Sequence, residues 1–139
     1  MTRTALIASV LVILATTAPS RAADISGVWL TSDGDAHVRM ARCGTGMCGN
    51  LVWIKDKPGA TDVRNRDPSK RSRPLLGLMI ALDFRPSAGD PEKFVGHFYN
   101  ADDGNTYNGS ISAAGPNALN VQGCLAIFCQ TQVWTRVRR

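Results

Sequence analysis

The chain has 139 residues, with 16 lysines and arginines against 11 aspartates and glutamates and a formal net charge of +5. This length suits one domain with a modest core and is too short for two. The mild positive charge is well below that of a typical nucleic-acid-binding protein, so nucleic acid is excluded as the expected partner.

The first 22 residues have the pattern of an export signal. Arg3 supplies a positive charge, residues 5–15 form an apolar run, and Ser20-Arg21-Ala22 fits the small-x-small cleavage rule. The apolar run is shorter than the roughly 20 residues that a membrane-spanning helix needs. We therefore predict cleavage after Ala22, with Ala23 as the second choice, and a periplasmic or secreted protein without a membrane span.

The mature chain, residues 23–139, is predicted to be a single domain. Removal of Arg3 and Arg21 leaves 14 basic against 11 acidic residues, a charge of +3. Within this part we expect eight strands, because short alternating or apolar segments follow one another with turn residues between them. The predicted strands are 26–32, 36–42, 49–54, 77–85, 93–100, 106–112, 118–124 and 130–137.

Strands at this spacing, with no long crossover, predict an all-β fold. Eight antiparallel strands suit an up-and-down barrel, and closure removes the exposed edges of an open sheet. A barrel of this size is filled by side chains or holds one small ligand. The apolar segment from Leu75 to Phe84 could be a helix or a strand by periodicity, and Gly77 favours a strand preceded by one helical turn.

Four cysteines form two pairs with the same spacing, Cys43-x4-Cys48 and Cys124-x4-Cys129. Three disulfide connectivities are open. If each pair flanks a hairpin loop of four residues, its sulfurs face each other, which favours bridges 43–48 and 124–129, each contributing about 2 kcal/mol. A zinc site made by all four thiolates is the alternative, but exported thiols usually oxidise.

The two ends of the mature chain carry matching closure residues. Gly27-Val28-Trp29 opens the first strand and Trp134-Thr135-Arg136 closes the last, and these strands are neighbours in a closed barrel. An arginine over an indole face gains cation-π attraction and covers apolar area. This arrangement resembles the G-x-W and terminal-arginine closure of the lipocalins and the wider calycin superfamily.

A second resemblance covers nearly the whole mature chain. Its motifs are Gly27-Val28-Trp29, Cys43-x4-Cys48-Gly49, Asp62-x2-Asn65-x-Asp67-Pro68, Arg71-x-Arg73-Pro74-Leu75-x-Gly77-Leu78, Tyr99-Asn100-x3-Gly104-x-Thr106-Tyr107-x-Gly109, Val121-x-Gly123-Cys124 and Gln132-x-Trp134-Thr135-Arg136. They resemble the bacterial exported family known as domain of unknown function 2147. The resemblance implies a small periplasmic lipocalin-like barrel and supplies no catalytic residue or cofactor. Phe94 departs from the family pattern, in which a tryptophan follows the preceding loop.

The stretch from Asp62 to Gly77 is long, charged and punctuated by proline, as functional loops often are. Between Lys55 and Arg73 lie seven basic residues and three acids. Arginine suits carboxylate or phosphate, so an anionic ligand or envelope surface is a sensible partner. The alternative is a solvated loop without a binding function, in which the acidic residues cap turns and pair with nearby arginines. The candidate binding residues are Asp62, Asn65, Asp67, Arg71 and Arg73.

No residue set specifies a reaction or a metal site. His37 and His97 lie on separate predicted strands, and oxidised cysteines leave no thiolate. The aromatic residues suit a plain core or the lining of a pocket whose entrance lies at the charged loop; they are Trp29, Trp53, Phe84, Phe94, Phe98, Tyr99, Tyr107 and Trp134.

Two functional hypotheses follow. The first is a non-enzymatic exported protein that binds a small apolar or amphiphilic molecule, with the loop orienting an anionic end. The second is an envelope interaction protein with a filled barrel, whose loop contacts a protein or an anionic polymer. An enzyme is the least favoured class, and no cofactor or metal is expected.

Overall fold

The computed structural model describes residues 13–17 and 23–138. Most of the predicted export signal, including the expected cleavage point at Ala22, lies outside the described residues. Among the residues that are described, no helix is long and apolar enough to cross a membrane.

Eight antiparallel strands close into an up-and-down barrel, as the sequence predicts, and each strand pairs with the next along the chain. A two-residue ladder between the last strand and the first completes the ring. The strands are β1 (Gly27–Leu30), β2 (Ala36–Cys43), β3 (Gly46–Ile54), β4 (Met79–Ser87), β5 (Asp90–Asn100), β6 (Asn105–Ala113), β7 (Ala118–Leu125) and β8 (Phe128–Arg136).

The up-and-down order fixes which connections share an end of the barrel. The β1–β2, β3–β4, β5–β6 and β7–β8 connections lie at one end, which we call the mouth. The other three connections lie at the opposite end, the closed end, where the chain enters β1 and leaves β8. The long β3–β4 loop (residues 55–78) therefore belongs to the mouth. Its one helical element is a short 3-10 turn, Pro68–Lys70.

Several turns are tighter than the sequence predicts. The connection predicted between strands 77–85 and 93–100 is too long, because Ser87 pairs with Asp90 and only Ala88 and Gly89 connect β4 to β5. β4 begins at Met79 rather than at residue 77, and the helical turn expected just before it lies earlier in the loop. At these positions, residues that are typical of turns take part in the strand ladder instead.

The cysteine pairs bridge as favoured, Cys43 to Cys48 and Cys124 to Cys129. The four-residue loops assumed for them are wrong, since each hairpin turns on two residues. Cys124 and Cys129 are direct cross-strand partners, whereas Cys43 pairs with Gly46 and its bridge to Cys48 runs diagonally. All four sulfurs are oxidised, which leaves no thiolate for a zinc site.

The closed end is secured by Arg136. Its guanidinium carbon lies 4.2 Å from the centre of the Trp29 ring. Arg136 also donates from Nη1 to the Ser26 carbonyl at 3.0 Å and from Nε to the Pro116 carbonyl at 2.8 Å. One side chain therefore ties together the entry to β1, the β6–β7 turn and the end of β8.

Replacement of Arg136 by alanine should lower the free energy of unfolding by about 1 to 3 kcal/mol, because two carbonyl partners and the cation-π contact are lost together. Urea denaturation measures this loss. The exposed neighbour Arg138, for which no hydrogen bond or ion pair is found in the described part of the chain, is the matched control and should change stability by less than about 0.5 kcal/mol. Equal effects of the two substitutions would contradict the closure role.

The half of the barrel next to the closed end is filled by side chains. Trp29, Val38, Phe84, Ile111 and Leu119 are essentially inaccessible to solvent. Glycines make room for the largest of these side chains. A Cβ on Gly109 would meet the Phe84 ring at 2.8 Å and overlap the Phe98 ring, so that this part of the barrel is packed without spare volume.

Gly109 and Gly123 face each other on β6 and β7, but they should respond differently to alanine. Gly109→Ala should cost about 1 to 3 kcal/mol of stability, because the added methyl overlaps two phenylalanine rings. Gly123→Ala should change it by less than about 0.5 kcal/mol, since the nearest atom to a Cβ there is the Tyr107 Cβ at 3.6 Å. Thermal melts of the pair test this contrast, and equal losses would refute the packing difference.

Candidate functional site: a cavity at the barrel mouth

The mouth half of the barrel is hollow. It contains a cavity of about 690 Å³, within the size range of small-molecule sites in proteins. The cavity is lined by inward-facing residues of the strands and by the mouth connections, and it begins where the packed half ends.

The floor and walls of the cavity are apolar. Phe98 and Trp134 both line it, with ring centres 5.8 Å apart, and Phe98 rests in turn on the buried Phe84 ring at 4.7 Å. The aromatic rings are thus held from below by the packed half of the barrel. Further apolar lining comes from Ala36, Leu51, Ile54, Ala60, Leu75, Ile80 and Val121.

The upper lining is polar and comes mainly from the mouth connections. It includes carboxylates on the β1–β2 turn, the β3–β4 loop and the β5–β6 turn, together with two lysines of the β3–β4 loop. Gln130 and Gln132 add amides from β8, and the Gln132 Oε1 accepts from the Trp134 Nε1 at 3.1 Å. The charged lining residues are Asp33, Asp35, Asp56, Asp102, Lys55 and Lys57.

Three apolar side chains extend the mouth beyond this lining. Leu125 and Phe128 are cross-strand partners at the end of the β7–β8 hairpin, and Ile127 lies in its turn. Phe128 is 77% exposed and Ile127 is 88% exposed. The Cys124–Cys129 disulfide lies directly behind them and fixes the hairpin end.

The β3–β4 loop is held in place by Asp62, whose side chain is completely buried. Its Oδ1 accepts from the Tyr99 hydroxyl at 2.6 Å, and its Oδ2 accepts from Asn65 at 2.8 Å and from the Arg73 Nε at 2.9 Å. The Asp62 N–H also donates to the Arg73 carbonyl. Because Tyr99 belongs to β5, this carboxylate joins the loop to the barrel wall.

The hydrogen bonds of Asp62 determine its protonation. Burial raises the pKa of the Asp62 carboxyl, but the hydrogen bonds from Tyr99, Asn65 and Arg73 outweigh burial and hold the pKa below its ordinary value. Burial and the neighbouring carboxylate raise the pKa of Tyr99. At neutral pH the cluster therefore contains a charged Asp62 and a neutral Tyr99.

The five predicted loop residues lie close together in the structure. Their contacts hold the loop in shape, and they do not surround the cavity. Asn65 is buried, and its carbonyl accepts from the Arg71 Nε at 2.8 Å. Asp67 caps the 3-10 turn by accepting from Ser69. Arg73 pairs with Asp62 at 2.8 Å and lies over the Tyr99 ring. None of the five lines the cavity, so a part in ligand binding stays a prediction for them.

The cavity divides the predicted aromatic set. Phe98, Tyr99, Tyr107 and Trp134 line it, whereas Trp29, Phe84 and Phe94 are core, and Trp53 is 40% exposed. Of the charged lining residues, Lys55, Asp56 and Lys57 belong to the charged stretch noted in the sequence, whereas Asp33, Asp35 and Asp102 were not among the candidate binding residues. Their position in the strand order is the signal that could have identified them. In an up-and-down barrel, the first, third, fifth and seventh connections between strands all lie at the same end.

Eight up-and-down strands around a cavity at one end define a lipocalin-like barrel. The chain belongs to the bacterial family described as "Uncharacterized protein conserved in bacteria", domain of unknown function 2147, whose model matches residues 27–136. Its fold is similar to that of protein HP1028 from Helicobacter pylori, described as belonging to the lipocalin family, with a TM-score of 0.72, 18% identity and coverage of 83% of this chain and 84% of that one. No curated protein matches the chain.

Proposed function

We propose that this protein is an exported, non-enzymatic binding protein that holds a small molecule with an apolar body in the mouth half of the barrel. The cavity of about 690 Å³ carries the proposal, since apolar and aromatic side chains form its floor and polar groups form its upper lining. Small-molecule sites commonly have this composition and are found in the mouths of β-barrels.

The lipocalin-like fold supports this proposal, because a barrel of eight strands is just wide enough for one small ligand. Two disulfides and the export pattern at the start of the chain support a location outside the cytoplasm. In this account the Asp62 cluster acts indirectly: it keeps the β3–β4 loop against the barrel so that Lys55, Asp56, Lys57 and Leu75 stay at the cavity.

A titration with N-phenyl-1-naphthylamine, a neutral apolar dye, tests the proposal. The protein is first passed over a hydrophobic resin to remove co-purified ligand. We expect saturable binding of one dye per chain, with energy transfer from the Trp134 side chain at the cavity. Non-saturable binding, or dye that decanol does not displace, would contradict a ligand cavity.

A second candidate function is contact with an anionic polymer of the cell envelope. It is favoured by the exposed Lys55, Lys57, Arg64 and Lys70 of the β3–β4 loop, for which no ion pair with a carboxylate is found in the described part of the chain. The variant Arg64→Glu with Lys70→Glu should lose retention on immobilised heparin, used as a polyanion, and keep its dye binding. Unchanged retention would remove this candidate.

A further inference from the structure

The cavity rim contains carboxylates without partners. For the side chains of Asp33, Asp35, Asp56 and Asp102, no hydrogen bond or ion pair occurs within residues 13–17 and 23–138, and all four line the cavity. Aspartates elsewhere are engaged by donors: Asp62, Asp67, Asp83, Asp90 and Asp103 each accept a hydrogen bond. Four carboxylates without a side-chain partner in the described chain thus lie at the mouth of an apolar cavity, whereas Glu92, which also has none, lies on β5 away from it.

Positive charge does not balance these groups at the lining. Among the residues that the structure describes, Lys55 and Lys57 are the cations of the lining, so the charged lining residues carry a net charge of −2. Three of the four loop arginines are engaged elsewhere: Arg66 with Asn105, Arg71 with the Asn65 carbonyl and Arg73 with Asp62. The fourth, Arg64, is exposed and does not line the cavity.

The two tyrosine hydroxyls at the cavity are also engaged, whereas the Gln130 and Gln132 side chains donate no hydrogen bond within the described residues. The Tyr99 hydroxyl donates to Asp62, and the Tyr107 hydroxyl donates to Asp103. The charged groups of the rim are therefore mainly carboxylates, and they lie above an apolar floor. Such a site suits a ligand that has an apolar body and a positively charged head.

We infer that the cavity takes a cationic amphiphile, with its apolar body against Phe98 and Trp134 and its positive head among the rim aspartates. This inference rests on the proposed function and specifies its ligand class. It differs from the sequence-based hypothesis, in which the basic loop orients an anionic end, because the arginines of that hypothesis do not line the cavity while the aspartates do.

Three probes with the same ten-carbon chain separate the contribution of the head group from that of the apolar body. They are decyltrimethylammonium, decyl sulfate and decanol, each used below its micelle concentration to displace N-phenyl-1-naphthylamine. The cation should bind about tenfold more tightly than the sulfate at low ionic strength, and added salt should narrow this ratio, since the rim charges are exposed.

The variant Asp33→Asn with Asp35→Asn and Asp102→Asn identifies the groups that cause the preference. It should weaken binding of the cation about tenfold and leave binding of decanol within twofold. The matched control removes three acidic charges away from the cavity, by Asp83→Asn, Asp90→Asn and Glu92→Gln, and should preserve the cation preference. A long-range effect of net charge would change both variants equally and would overturn the inference.

The possible outcomes distinguish the inferred ligand class from the proposed function. Tighter binding of decyl sulfate than of the cation, or a cation preference that survives in the rim variant, overturns the inference while decanol binding still supports the proposed function. Failure of all three probes and of the dye to bind overturns the proposed function and the inference with it.

Discussion

Replacement of Asp62 by asparagine should lower the free energy of unfolding by about 3 kcal/mol, a large effect for a polar residue in a loop. The Asp62 carboxylate accepts from Tyr99, Asn65 and Arg73 while it is fully buried. Asparagine has nearly the same shape, but an NH2 group replaces one of the two carboxylate oxygens. This hydrogen-bond donor then faces a donor group of Tyr99, Asn65 or Arg73. The substitution also leaves the Arg73 guanidinium without its carboxylate partner.

The loop should loosen in the same variant. Because Asp62 joins the β3–β4 loop to β5, trypsin should cut Asp62→Asn faster than wild type after the exposed Arg64, Arg66 and Lys70. Asp102→Asn is the control, since it removes an exposed carboxylate at the same end of the barrel and should change stability by less than about 0.5 kcal/mol. Unchanged stability and unchanged cleavage of Asp62→Asn would contradict the anchoring role.

The effect of Asp62 also has a defined pH dependence. Its folded-state pKa lies below its unfolded value of about 3.9. The stabilisation is therefore fully present above that pH and is lost as the pH falls through the lower, folded-state pKa. Urea denaturation across acidic pH should show the stability difference between wild type and Asp62→Asn shrinking over this range. A difference that stays constant would place its cause outside the ionised carboxylate.

The second large effect is expected from filling the cavity. Gly123 lies on β7 at the cavity, and a Cβ there would have only ordinary contacts with Tyr107. Gly123→Trp should therefore place an indole in the cavity and weaken binding of the neutral dye at least tenfold. The stability cost should stay below about 1.5 kcal/mol, because the indole occupies a cavity rather than a packed core.

Gln122→Trp is the matched control for this substitution. Gln122 precedes Gly123 on the same strand, so its side chain points to the other face of the barrel wall. The control adds the same aromatic group and should leave dye binding within twofold. Unchanged dye binding by a folded Gly123→Trp protein would show that the dye does not occupy the cavity.

The sequence predicted the fold well because strand alternation and turn residues are local signals. Eight strands, their order and both disulfides follow from such patterns. The strand ends were less accurate where turn-forming residues take part in the ladder. Pro86 is an example, since it pairs with Phe94 within β4 and β5 although proline usually marks a turn.

The candidate site was harder to predict, because it depends on contacts between distant segments. The charge of Asp62 indicated a functional loop, but only the approach of Tyr99 from β5 shows the carboxylate to be buried and fully bonded. Neither Asp33 nor Asp102 was among the candidate binding residues predicted from the sequence, because only barrel closure brings the two to one cavity. Volume is a property of the assembled barrel, so no local pattern could show that its mouth half is hollow.

Native mass spectrometry of the protein, purified without denaturation from the cell envelope, shows whether the barrel holds a small molecule. We expect a reproducible small-molecule adduct on the wild-type protein, released on unfolding and absent from Gly123→Trp, while Gln122→Trp retains it. A wild-type protein that shows only its own mass, less the four hydrogens of two disulfides, and that also takes up none of the probes would contradict a ligand-binding barrel.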